Sequence, residues 1–112
     1  MIHRGDVYDA DFPLAGVHPA VVITREEAIP VLSAVAVVLV TSTVRGHPAE
    51  VPLEGPHLDL HQHSVLNCDD LATLPKPLLK RYRGHLSPAQ LAALDRALAI
   101  ALGLDRAIPF GP

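Results

Sequence analysis

Along most of the chain apolar and polar residues trade places every one or two positions, but from Val35 to Val40 the sequence is continuously apolar and then stops at Thr41-Ser42-Thr43-Val44-Arg45-Gly46. Such a run predicts a strand buried on both faces and therefore the centre of the core. A rigid strand ending in hydroxyls and a guanidinium is a good mount for reactive groups, so function is expected at its exit. Upstream, residues 4–12 alternate, with Tyr8, Ala10 and Phe12 as the inward face and Val7, Asp9 and Asp11 as the other. Pro13 and Gly16 end that strand. Residues 14–19 then form a loop to a second strand, Ala20 to Thr24, with Pro19 holding His18 extended at its mouth. Arg25 to Pro30 is a polar connection to the central strand.

Downstream, Ala49 to Leu53 predicts a short edge strand, because Pro52 has no N–H for an inner ladder. Glu54 to His63 has no periodicity and is expected to be an exposed loop. Ser64 to Asp69 predicts another strand, Asp70 to Pro77 a turn-rich connection, and residues 81–84 a brief strand. Ser87-Pro88-Ala89-Gln90 then carries an N-cap serine, a proline at the first helical position and a glutamine at the third, as a capping box requires. Leu91, Leu94, Leu98, Ala101 and Leu102 recur at helical spacing and Gly103 ends the helix. Five or six short strands and one C-terminal helix imply a mainly β fold, a small, bent, partly closed barrel capped by the helix. The domain spans residues 1–105, and residues 106–112, with Pro109, Gly111 and Pro112, form a tail.

Composition narrows this picture. A chain of 112 residues holds one core. With 49% hydrophobic residues but only two Phe, two Tyr and no Trp, that core is aliphatic. Such a barrel leaves apolar sheet surface for a second copy to cover, so a homodimer is expected. The single cysteine, Cys68, excludes an internal disulfide framework and fits a reducing cytoplasm; on its strand it reads as a small buried hydrophobe. No apolar run is long enough for a bilayer and the first residues lack a signal-peptide core, so no membrane association is expected. The net charge of −3 argues against general nucleic-acid affinity. Lys76, Lys80, Arg81 and Arg83 nevertheless form an acid-free run. That run can track phosphates, bind an acidic peptide or be a solvated face, and the sequence leaves the three open.

Two groupings carry possible chemistry. If the second and central strands are neighbours, His18 meets Thr41, Ser42, Thr43 and Arg45 at one end of the sheet. An imidazole to move a proton, a hydroxyl to bond a phosphate oxygen and a guanidinium to neutralise developing charge suffice for phosphodiester transesterification. The substrate would be RNA, whose own 2′-OH is the nucleophile. The bland alternative is a turn rich in Thr, Ser and His. The second grouping is His57, Asp59, His61 and His63; it has zinc-ligand residue types but lacks the context of known hydrolytic signatures, so neither metal nor cofactor is expected.

The order of motifs resembles the MazF/PemK family of toxins. The resemblance is carried by Arg4-Gly5-Asp6-Val7, His18-Pro19-Ala20-Val21-Val22-Ile23-Thr24, Val40-Thr41-Ser42-Thr43-Val44-Arg45-Gly46 with Glu50-Val51-Pro52-Leu53, Ser64-Val65-Leu66-Asn67-Cys68-Asp69, Thr73-Leu74-Pro75-Lys76 and Gly84-His85-Leu86. It runs from about residue 2 to residue 105. The resemblance implies an SH3-like barrel, a homodimer, metal-independent cleavage of single-stranded RNA at short sequences, and neutralisation by a small acidic MazE-like antitoxin. Thr41 matches the family's hydroxyl position. His18 stands where the family usually has Arg, and Asp70 and Ala72 where it often has Gln and Arg. The resulting expectation is a cytoplasmic endoribonuclease toxin with Thr41, His18 and Arg45 at the phosphate and Arg25, Ser42, Thr43, Ser64, Thr73, Lys76 and Lys80 as further RNA contacts. The rivals are a protein-binding toxin on the same barrel, of the gyrase-poison CcdB type, and an inactive homologue that titrates antitoxin.

Overall fold

The computed structural model describes residues 1–61 and 63–107. Six antiparallel strands form one bent sheet: β1 Asp6–Phe12, β2 Gly16–Val22, β3 Ala34–Thr41, β4 Glu50–Leu53, β5 Ser64–Pro75 and β6 Leu79–His85, in the order β4-β5-β3-β2-β1-β6. A helix, α1 (Pro88–Ala101), follows.

The apolar run is an inner strand buried from both sides, as expected. Val38 and Val40 join Val21, Leu66 and the helix residues Leu94 and Ala97 in one core. Val35 and Val37 join Ala20, Val22, Ile29 and Phe12 in another, on the opposite face. Two-sided burial also corrects the reading of β1: Val7 is fully buried in the helix-facing core while Ala10 and Phe12 serve the other. Pro52 lies on the edge strand β4, where its missing N–H costs nothing.

Two further local expectations are overturned. Residues 70–75 continue β5 instead of turning. Leu39 pairs with Asn67 but Val38 with Leu71, so Cys68, Asp69 and Asp70 bulge out and bend the strand. The polar pair Asp69-Asp70 marks that bulge. His18 belongs to β2, opposite Ala10, because the β1–β2 connection is tighter than a 14–19 loop. Its tip has positive φ at Leu14 (69°) and Gly16 (85°), and Ala15 N–H donates to Phe12 O.

The segment after β4 is the expected loop, its described residues exposed except Leu58 and Leu60, and it is tied down. Gln90 Nε2 donates to Glu54 O at 2.8 Å, His57 Nε2 lies 2.8 Å from Gln90 Oε1, and Asp59 N–H donates to Arg83 O at 2.8 Å. Leu58 is buried and bridges to Gly84, which joins the β4 end of the sheet to β6 and partly closes the barrel. Gly84 has φ +133°, and a Cβ there would strike the His57 carbonyl; only glycine allows the closure.

The helix begins with the expected capping box on Ser87 and Gln90. It ends in a Schellman motif, Leu104 N–H to Ala99 O and Gly103 N–H to Ile100 O, with Gly103 at φ +71°. Leu102, assigned to the apolar stripe, is exposed because it lies beyond the last packed turn, and Ala97 replaces it in the core. Residues 102–107 form turns, and the rest of the expected tail lies outside the described residues. No helix is long and apolar enough to cross a membrane among the described residues.

Candidate active site

β2 and β3 pair with Ala20 opposite Leu39 and Val22 opposite Val37. The same register carried two residues further sets His18 against Thr41, at the end of the sheet where the apolar run stops. Both residues line two adjoining clefts. The first also holds Ser42, Ser64, Asp59, Leu60, His61 and Arg83; the second adds Arg45, His47, Asn67, Asp69 and Asp70.

The hairpin tip orients His18. Its Nε2 lies 2.8 Å from the Ala15 carbonyl oxygen. A carbonyl only accepts, so Nε2 carries a proton and the neutral ring keeps its lone pair on Nδ1. The imidazole therefore presents a proton acceptor. Thr41 Oγ1 accepts the Thr43 N–H at 3.1 Å, which leaves its own hydroxyl proton to donate elsewhere.

Arg45 is placed by its neighbours. Glu50, the first residue of β4, accepts the Arg45 N–H at 2.9 Å and the Gly46 N–H at 2.7 Å, which folds the 41–46 segment back toward the strands. The Arg45 N–H holds the Glu50 carboxyl below its ordinary range, the Gly46 N–H adds to this, and desolvation opposes both.

Of the residues expected at an RNA surface, His18, Thr41, Ser42, Arg45 and Ser64 share these clefts. Thr43 contributes its backbone N–H to Thr41. Arg25, Thr73 and Lys76 sit toward the other end of the strands: Arg25 follows the far end of β2, Thr73 pairs with Ala36, and Lys76 N–H donates to Ser33 O. Lys80 is exposed on β6 and lines neither cleft.

Two residues that the sequence analysis placed in other groupings, Arg83 in the basic run and Asp59 among the histidines, meet here. Arg83 enters the first cleft, where its Nη2 lies 2.9 Å from Asp9 Oδ2 and its Nη1 3.0 Å from Asp59 Oδ2. The Asp9 hydrogen bond chiefly pushes the guanidinium still higher than its ordinary range. The available signal was spacing: Arg81 and Arg83, two apart on a strand, share one face, and both reach Asp59. Asp59, grouped with three histidines, instead pairs with Arg83 and Arg81. His57 bonds Gln90, and His61 lines the first cleft. Among the described residues no group of three His, Cys, Asp or Glu is arranged to hold a metal.

Residues 3–102 match the family described as PemK-like, MazF-like toxin of type II toxin-antitoxin system. The chain is 40% identical over 87 residues to Endoribonuclease MazF3 of Mycobacterium tuberculosis, covering 78% of this chain and 84% of that one. Probable endoribonuclease MazF5 of the same species is 31% identical over 103 residues, 92% and 94% of the two chains. Among solved structures, an endoribonuclease in complex with its cognate antitoxin from a mycobacterial species superposes with a TM-score of 0.85 at 32% identity, covering 99% and 100%.

Proposed function

Because the chain belongs to the PemK-like, MazF-like toxin family of type II toxin–antitoxin systems, we propose that it is an endoribonuclease toxin that cuts single-stranded RNA and is neutralised by a cognate antitoxin. The observation that carries the chemical reading is the meeting of His18 and Thr41 in one cleft, with Arg45 beside them.

The reaction is transesterification within the substrate. The 2′-OH attacks the adjacent phosphorus, the bond to the 5′-oxygen breaks, and the products are a 2′,3′-cyclic phosphate and a 5′-hydroxyl. His18 Nδ1 takes the 2′-OH proton. The leaving oxygen receives a proton from the imidazolium or from water. The Thr41 hydroxyl donates to a non-bridging oxygen and Arg45 offsets the charge that builds there. The attacking oxygen belongs to the RNA, so no protein nucleophile is involved. Asn67, Asp69 and Asp70 line the second cleft and offer an amide and two carboxylates for hydrogen bonds to bases beside the cut.

The reading extends to a cytoplasmic homodimer. Exposed Val17, Val31, Leu32 and Leu71 leave apolar surface that a second copy would cover, and sedimentation at micromolar concentration measures it.

The test is incubation of the protein, free of antitoxin and in excess EDTA, with a long single-stranded RNA, followed by mapping of the ends. Discrete cuts carrying 2′,3′-cyclic phosphates that vanish in Thr41→Ala support the proposal. Absence of cleavage by the folded protein overturns it and directs attention to a protein target.

A further inference from the structure

Among the described residues lining the first cleft, Arg83 is the only Lys or Arg. Asp9 holds one side of its guanidinium: Nε donates to Oδ1 at 3.0 Å and Nη2 lies 2.9 Å from Oδ2. This side-on fork fixes the plane of the group, and the Asp9 side chain is only 14% exposed. The remaining nitrogen, Nη1, turns to Asp59, 3.0 Å from Oδ2 and 3.3 Å from the main-chain oxygen.

The two carboxylates differ in kind. Asp59 is 65% exposed and also receives Arg81 at 3.2 Å. Its backbone is anchored by the N–H bond to Arg83 O, while its side chain can swing into solvent. A carboxylate and a phosphodiester each carry one negative charge and accept from a guanidinium in the same geometry. Exchange of one for the other leaves Arg83 Nη1 paired with a single negative charge, and Arg81 remains within reach of the displaced Asp59 carboxylate.

We propose that Arg83 binds a phosphate of the RNA backbone beside His18 and Thr41, and that Asp59 occupies that place in the free protein and is displaced on binding. Arg83 Nη1 thereby supplies a permanently charged phosphate contact that an imidazole at position 18 does not offer. The identity of the ligand rests on the endoribonuclease reading; the anion site itself does not.

Two titrations test it. Inorganic phosphate is added to 15N-labelled protein while the Arg83 Nε–H resonance is followed, and single-stranded RNA is bound at several salt concentrations in the Thr41→Ala background, which spares the RNA. Asp59→Asn is expected to tighten both affinities about three- to ten-fold, the range set by freeing a partly exposed charge partner. Arg83→Gln is expected to lower the slope of log Kd against log salt by about 0.7, one phosphate contact on a single strand. Arg83→Lys is expected to weaken RNA binding less. Unchanged affinities in Asp59→Asn, or a full salt slope in folded Arg83→Gln, overturn the proposal. Should Arg83→Gln fail to fold, Asp59→Asn decides alone, its side chain being solvent-exposed. A phosphate response at Arg83 without RNA cleavage by the wild type sinks the endoribonuclease reading and keeps the anion site. Cleavage with no phosphate response in either the wild type or Asp59→Asn does the reverse.

Discussion

His18 and Thr41 lie in the register that sets Ala20 against Leu39, two residues past the last ladder pair, and both face the same clefts. Both stand on strand ends, not on a long loop, and so the strands bring an imidazole and a hydroxyl to one cleft. Thr41→Ala is expected to lower the cleavage rate about 10²-fold or more and His18→Ala about 10²- to 10⁴-fold. Thr41→Ser, which keeps the hydroxyl, is expected to retain most activity. Single-turnover cleavage of one RNA by all three, with thermal melts to show intact folding, checks the set.

Glu50 governs Arg45 through the backbone, and its carboxyl is held below its ordinary range. A carboxylate whose folded value is depressed adds stability that is complete above the ordinary Glu range near 4.3 and is lost as pH falls through the depressed value. Glu50→Gln is therefore expected to flatten part of the loss of stability between about pH 5 and pH 3, measured by urea unfolding. Glu26, lowered by the Arg4 N–H and His3, keeps the remainder of the slope. The same substitution loosens the 41–46 segment and is expected to reduce cleavage at pH 7.

Burial, with a smaller contribution from Asp69, pushes the Cys68 thiol up to about 11. The thiolate is the reactive form, so folded protein at pH 8 is expected to resist a disulfide exchange reagent and to react fully in urea. Rapid labelling of the native protein would show the bulge to open readily.

Gly84→Ala places a methyl group against the His57 carbonyl at a φ that L-residues avoid. The expected cost is about 1–3 kcal/mol, read from chemical denaturation, with weakened RNA binding because Asp59 and Arg83 flank the same contact. Substitution at Gly46, where a Cβ meets nothing, lacks that clash and serves as the control for positive φ alone.

Local signals were legible wherever a short stretch settles its own conformation. The capping box, the Gly103 stop, the Pro52 edge and the doubly buried run from Val35 all depend on residues within a turn or a strand of each other, and each stands in the fold as read. The failures share a cause. Asp69-Asp70 reads as a turn until β3 is known to run past it and convert it to a bulge, and Val7 reads as an outer residue until the helix covers its face.

By itself, then, the order of residues determined the family, the mainly β class with its closing helix, and the pair His18 and Thr41 as the place to look. Apolar runs, caps and prolines act over distances shorter than one element, so they can be read without the rest of the chain. Only the tertiary structure decided which charges join that pair. Asp9 and Arg83 are separated by 74 positions, Arg25 and Lys76 are carried away by strand direction, and Asp59 reaches the cleft because a glycine lets the barrel close. Electrostatic partners are chosen by proximity in space, and that proximity exists only once β1 has paired with β6 and the Leu58–Gly84 bridge has closed the barrel.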